Sequence, residues 1–111
     1  MRALIDELVA AWQTNDAYRA SAFFAPEGVY HESGRDPIVG RDAILVHFQR
    51  FFRDGPAWRF DVDDIVAEED AAALAYRFSL KGNASEWLER AGCALVHRKN
   101  GLIVYWREYH G

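Results

Sequence analysis

Apolar residues recur with a helical period through the first part of the chain. Leu4, Ile5, Leu8, Val9 and Trp12 form one stripe, which predicts an amphipathic helix. Thr14-Asn15-Asp16 then supplies turn and N-cap chemistry for a second, shorter helix. Its pattern runs through Tyr18, Ala22, Phe23 and Phe24 and stops at Ala25-Pro26-Glu27-Gly28. Val29 to Glu32 predicts a short strand ended by Ser33-Gly34, and Pro37-Ile38-Val39 a second extended piece. Gly40-Arg41-Asp42 opens a third helix with Ile44, Phe48, Phe51 and Phe52 on its apolar face, and Asp54-Gly55-Pro56 breaks it.

Beyond that break the period changes to two. Trp58, Phe60 and Val62 alternate with Arg59, Asp61 and Asp63, and the next apolar residue is Ile65, so the phase slips as a β-bulge would make it. Glu68-Glu69-Asp70 reads as a turn, Ala73 to Leu80 as a strand, and Lys81-Gly82-Asn83 as the next turn. Trp87 to His97 and Leu102 to Tyr109 are strands joined by a hairpin at Lys99-Asn100-Gly101. Helices that precede a meander predict an α+β fold, with three helices packed on one face of a curved antiparallel or mixed sheet. At 111 residues, without repeat or linker, the chain is expected to form one domain over 1–111.

Composition narrows the function classes. A formal charge of −4 leaves no basic surplus to neutralise phosphates, so nucleic acid is not an expected partner. No apolar run has the length of a membrane span, and Asp6 and Glu7 in the first turns favour a helix over a signal peptide. One cysteine, Cys93, excludes an internal disulfide, and the expectation is a soluble cytoplasmic protein. His31, His47, His97 and His110 lie on different elements without helical ligand spacing, so no metal is expected, although two could converge in space. No phosphate loop or nucleophile elbow is present, and no cofactor is implied. Four Trp, five Tyr and seven Phe exceed what a generic core of this size calls for.

Four stretches together carry a family resemblance: Trp12 to Asp16, Phe23 to Tyr30, Gly40 to Ile44, and Gly101 to Tyr109. In order and spacing the chain resembles the SnoaL-like branch of the nuclear transport factor 2-like superfamily. That resemblance implies a cone: a strongly curved sheet closed by three helices, with a pocket at the open end. Compared with the limonene-epoxide hydrolase family, Tyr30 matches the pocket tyrosine and Glu32 replaces an asparagine. Arg77 matches the arginine, Ser79 stands where a second acid is found, and Glu108 matches the last acid. Compared with ketosteroid isomerases, Glu32 falls on the general base. The oxyanion tyrosine there falls on Leu8, and the protonated aspartate near Gly92 to Ala94, which offers no acid.

Strand alternation places Tyr30 with Glu32, Arg77 with Ser79, and Trp106 with Glu108 on common faces. If all face inward, two carboxylates, a guanidinium and a phenol converge below an aromatic wall that includes Trp12, Phe48 and Trp106. The carry-over therefore makes Glu32 the base, Arg77 and Glu108 an orienting or electrophilic pair, and Tyr30 a hydrogen-bond partner of the ligand. His31 alternates out of that face and receives no role. Local pattern gives the opposite orientation for one strand: Tyr76, Phe78 and Leu80 inside, Arg77 in water. With Arg77 inward, Tyr76 and Phe78 would join Tyr105, Tyr109 and Trp87 on the convex face, an aromatic patch expected to make a homodimer. The chain ends at Gly111, directly after the last predicted strand, so an open pocket is expected. The expected activity is a cofactor-free isomerase, cyclase or hydrolase acting on a small apolar, oxygen-bearing ligand. The other reading is a non-catalytic ligand-binding or dimerisation module.

Overall fold

Burial follows the helical stripe on α1 (Arg2–Gln13), where Ile5, Leu8, Ala11 and Trp12 are the buried positions. In this computed structural model, which describes residues 1–110, α1 is followed by α2 (Ala17–Ala22) and the strands β1 (Phe24–His31) and β2 (Ile38–Val39). Then come α3 (Arg41–Asp54), β3 (Trp58–Ala67), β4 (Ala71–Lys81), β5 (Trp87–Lys99) and β6 (Leu102–His110). The Asp16 side chain caps α2 by accepting from the Arg19 backbone N–H at 3.0 Å.

All six strands form one sheet in the order β2-β1-β6-β5-β4-β3. Every pairing is antiparallel except β1 with β6, which is parallel. The helices cover one face. Ile5, Leu8 and Trp12 of α1 and Ile44 and Phe48 of α3 share a core with Phe24, Tyr30, Phe60, Leu74, Tyr76, Val96, Ile103 and Trp106 from the strands. Arg41 ties the start of α3 to β1 by donating from Nε to the Phe24 carbonyl at 2.8 Å. The fold is thus α+β, three helices against one six-stranded mixed sheet.

The phase slip in β3 is a register shift between Val62 and Asp64 against β4. The β5–β6 hairpin turns on Asn100 and Gly101, both at positive φ (52° and 81°), as a tight turn matched to strand twist requires. The second helix corrects the sequence reading. It ends at Ala22, and Phe24 already begins β1. The Ile103 backbone N–H donates to the Phe23 carbonyl at 2.8 Å, so pairing with a strand distant in sequence overrides the local helical pattern.

Candidate active site

Between α1, α3 and the concave face of the sheet lies a cavity of about 180 Å³. Its walls are aromatic, from Trp12, Phe48, Phe51, Phe52, Trp58 and Phe60. The polar groups reaching it are Tyr30, Glu32, Arg35, His47, Tyr76, Glu108 and His110. Alternation delivers Tyr30 from β1 and Glu108 and His110 from β6, while one turn of α3 brings His47 beside Phe48 and Phe51.

Glu108 is the deepest charged group, 6% exposed. Its Oε2 accepts the Trp106 indole N–H at 3.0 Å, and the Tyr30 hydroxyl donates to the same oxygen at a long 3.5 Å. Burial, partly countered by the Trp106 hydrogen bond, moves the Glu108 pKa up to about 7; the negative charge of Glu32 adds to the rise. Glu32 moves the other way. Burial would raise it, but a hydrogen bond from His47 and the positive groups around it bring it below the ordinary glutamate value. His47 Nε2 lies 3.2 Å from Glu32 Oε1, with both side chains about a quarter exposed (27% and 29%). The pocket thus holds one carboxylate that stays ionised and one that shares its proton with neutral solution, the division that acid–base chemistry uses.

The structure corrects the expected orientation of β4. Arg77 lies on the outer face, bonded to Asp63 at 2.9 Å and to Glu89 at 3.8 Å, and takes no part in the pocket. Ser79 shares that face; it is buried between Arg59 and Glu89 in register and does not line the cavity. Tyr76, Phe78 and Leu80 instead line the cavity, so Tyr76 and Phe78 leave the expected convex patch. The physical reason is the transfer cost: turning Tyr76 and Phe78 outward to bury an arginine would exchange apolar burial for a desolvated charge. Trp106 is fully buried but stands behind Glu108, outside the residues that line the cavity.

Trp12, Phe48, Tyr30, Glu32 and Glu108 lie where the sequence reading put them, at the pocket. Tyr105 and Tyr109 lie on the outer face; Tyr105 is half-buried beside His97, and Tyr109 is exposed with the Arg107 guanidinium over its ring. His31 contacts the Arg35 carbonyl at 2.8 Å and does not line the pocket. Arg35, His47 and His110 are polar groups at the cavity that the sequence reading missed, and Tyr76 is one that it placed on the outer face. The one signal for His47 was its place beside Phe48 on the apolar side of α3; for His110 it was the alternation Trp106, Glu108, His110. Among the described residues no group of three or more metal-ligating side chains converges.

Comparisons with known proteins agree with this fold. The fold is similar to an LEH-like epoxide hydrolase of M. tuberculosis, with TM-score 0.83 and 19% identity, over 97% of this chain and 80% of that one. It is equally similar to a hypothetical protein of ketosteroid isomerase-like fold from Catenulispora acidiphila, solved with trimethylamine (TM-score 0.85, 14% identity, 96% and 83% covered). A protein of unknown function from Burkholderia pseudomallei superposes with TM-score 0.87 at 11% identity, over 99% and 89% of the two chains. At such identities the likeness is one of fold. No curated protein matches the sequence. The model of the SnoaL-like domain matches residues 5–106, nearly the whole chain, and the protein belongs to that family.

Proposed function

We propose that this protein is an enzyme that moves protons on a small, largely apolar, oxygen-bearing ligand, using its own two pocket carboxylates. One observation carries the reading: Glu32 and Glu108 face the same aromatic cavity with pKa values displaced in opposite directions. Glu32, held ionised by His47, is the base. Glu108, protonated over much of the neutral range, donates to the ligand oxygen as charge develops there, and Tyr30 is placed to support the same oxygen. The aromatic walls lower the local dielectric, which strengthens each of these interactions. Cavity size sets the scale of the ligand. An apolar cavity of about 150 Å³ accepts benzene, so about 180 Å³ suits a molecule of one or two small rings better than a larger polycyclic one. Isomerisation next to a carbonyl and acid-assisted ring opening both fit this arrangement, and proteins of this fold include an epoxide hydrolase.

A substrate-independent test is the base-promoted ring opening of 5-nitrobenzisoxazole, a small planar compound of two fused rings whose phenolate product absorbs visibly. The wild-type protein is expected to accelerate it, and Glu32→Gln to lose on the order of a hundredfold or more of that acceleration. A wild-type rate equal to that of free carboxylate in buffer overturns the catalytic reading. If the compound then still quenches tryptophan fluorescence saturably, the protein is a binding module.

The outer face of the sheet supports a homodimer as part of this proposal. Without Tyr76 and Phe78 that face is smoother than the sequence suggested. Ala73, Ala75, Ala91, Cys93 and Leu95 form a band of small apolar side chains on β4 and β5, flanked by Tyr105 and Tyr109 on β6.

A further inference from the structure

Glu108 is the one charged side chain buried in the core among the described residues. Its Oε2 has neutral donors, the Trp106 indole N–H at 3.0 Å and the Tyr30 hydroxyl at 3.5 Å. Oε1 makes no hydrogen bond with any described residue, yet it is not sealed. The side-chain atoms buried without a partner are Trp12 Nε1, Arg107 Nε and His110 Nδ1, so Oε1 is open to the cavity that Glu108 lines. The Tyr76 hydroxyl on the same cavity is taken up by His110 Nε2 at 2.8 Å. No cationic side chain among the described residues forms an ion pair with Glu108, whereas Glu32 has His47 at 3.2 Å. The cavity walls are rings set steeply to one another. Trp12 meets Tyr30, Phe48 and Phe60 at interplanar angles of 71°, 80° and 66°. Rings at such angles enclose a space as a box, and the π faces turned toward it attract a cation.

We propose that this cavity also takes a small tertiary amine in its protonated form, with the ammonium N–H donated to Glu108 Oε1 and the three carbon substituents packed against the rings. The chemistry of the site selects that class. A buried carboxylate without a counter-ion is costly, and a ligand cation supplies the missing partner. One free acceptor oxygen matches one N–H. A primary ammonium would carry two further donors against apolar walls, each costly when unsatisfied, and a quaternary one would leave Oε1 unbonded. Cation–π attraction adds to the ion pair where water is excluded. The other charged or titratable groups on the cavity leave room for this charge. Arg35 is exposed, where solvent and salt screen it, and His47 is engaged by Glu32. Burial and Arg90 hold His110 below its ordinary pKa, which keeps it uncharged at neutral pH. Amine binding does not depend on a catalytic role for Glu108. Where Glu108 does act as the acid, the ammonium fixes it as carboxylate and removes the proton that the reaction uses, so the amine is an inhibitor.

Two probes of the same shape isolate the charge: N,N-dimethylaminoethanol, protonated at neutral pH, and 3-methylbutan-1-ol, in which C–H replaces N⁺–H. Neither has more heavy atoms than benzene, which an apolar cavity of about 150 Å³ accepts, and this cavity measures about 180 Å³. Binding is read from NMR shifts of the cavity aromatic protons. At about pH 7.5 the amine is expected to bind about tenfold or more tighter than the alcohol. Glu108→Gln keeps the shape and removes the charge, so it should abolish that preference and leave the alcohol unaffected. Calorimetry in buffers of different ionisation enthalpy gives a second readout on the wild type, should that variant not fold. At about pH 6.5, below the Glu108 midpoint of about 7, the amine should release protons as it binds and the alcohol none. An amine that binds no tighter than the alcohol overturns the proposal, as does a preference that survives in Glu108→Gln or binding without proton release. Amine binding of the expected kind in a protein with no ring-opening activity would remove the catalytic reading and leave the amine site standing. Ring opening without amine preference would do the reverse.

Discussion

A carboxyl group taken out of water resists ionisation, and Glu108 converts that resistance into a pH dependence of the whole fold. Its pKa of about 7 in the folded state exceeds the ordinary 4.5, so between those values the folded protein holds a proton that the unfolded chain has released. Stability contributed by Glu108 is therefore present below about pH 4.5 and lost as pH rises through 7, by roughly 3 kcal/mol in total. Glu32, with its lowered pKa, acts on the acid side and in the opposite sense. His110, also lowered, costs stability as pH falls below its ordinary 6.5. Comparing wild type with Glu108→Gln isolates the one group, since the others are common to both. Urea unfolding across about pH 5 to 8 should show the variant gaining on the wild type as pH rises, by an amount on the order of that figure. A difference independent of pH would mean that Glu108 is ionised in the fold at all these values.

At the scale of elements, the structure separates what local pattern determines from what it does not. The bulge in β3 and the turn at Asn100-Gly101 were legible because each is written in adjacent residues: a slipped alternation, and two residue types that tolerate positive φ. The end of α2 was not, because Phe23 and Phe24 continue a helical pattern, and only pairing with β6 ends the helix before Phe23 and starts β1 at Phe24. The orientation of β4 is the instructive case. Its own alternation put Tyr76, Phe78 and Leu80 inside, and the structure agrees with it against the family comparison, which turned Arg77 inward. A remote resemblance carries the fold across low identity, but the side a strand presents is decided by the side chains it has. The hairpin offers a measurable consequence. Gly101 has φ 81° and open space where a Cβ would stand, so Gly101→Ala introduces conformational strain and no clash. Its cost should be about 1 kcal/mol in unfolding free energy, with the fold and the ring-opening activity retained. A neutral substitution would show that the turn relaxes to another type.

For the molecule as a whole, the two faces of the sheet divide the aromatic surplus unequally. The concave face takes most of it, in walls around two carboxylates that lie 76 positions apart in sequence (Glu32 and Glu108) and meet only because β1 pairs with β6. That pairing also explains the partial legibility of the site: Tyr30, Glu32 and Glu108 came from strand alternation combined with a family comparison. His47, which pairs with Glu32, and His110, which bonds Tyr76, left only faint local signals, because the contacts that bring them into the site are made by long-range packing. The convex face keeps Tyr105, Tyr109, Trp87 and a band of small residues, with Leu95 39% exposed opposite Arg107. A band of Ala, Cys and Leu loses little side-chain entropy on contact, whereas the outer Arg77–Asp63–Glu89 cluster stays hydrated at its rim. Sedimentation velocity at micromolar concentration should therefore give a dimer, and Leu95→Arg, which sets like charges against each other and against Arg107, should give a folded monomer. The pocket lies on the opposite face, so that monomer should keep its ring-opening activity. A wild-type monomer would leave the convex band as ordinary solvated surface, and a Leu95→Arg protein that still dimerises would place the interface elsewhere.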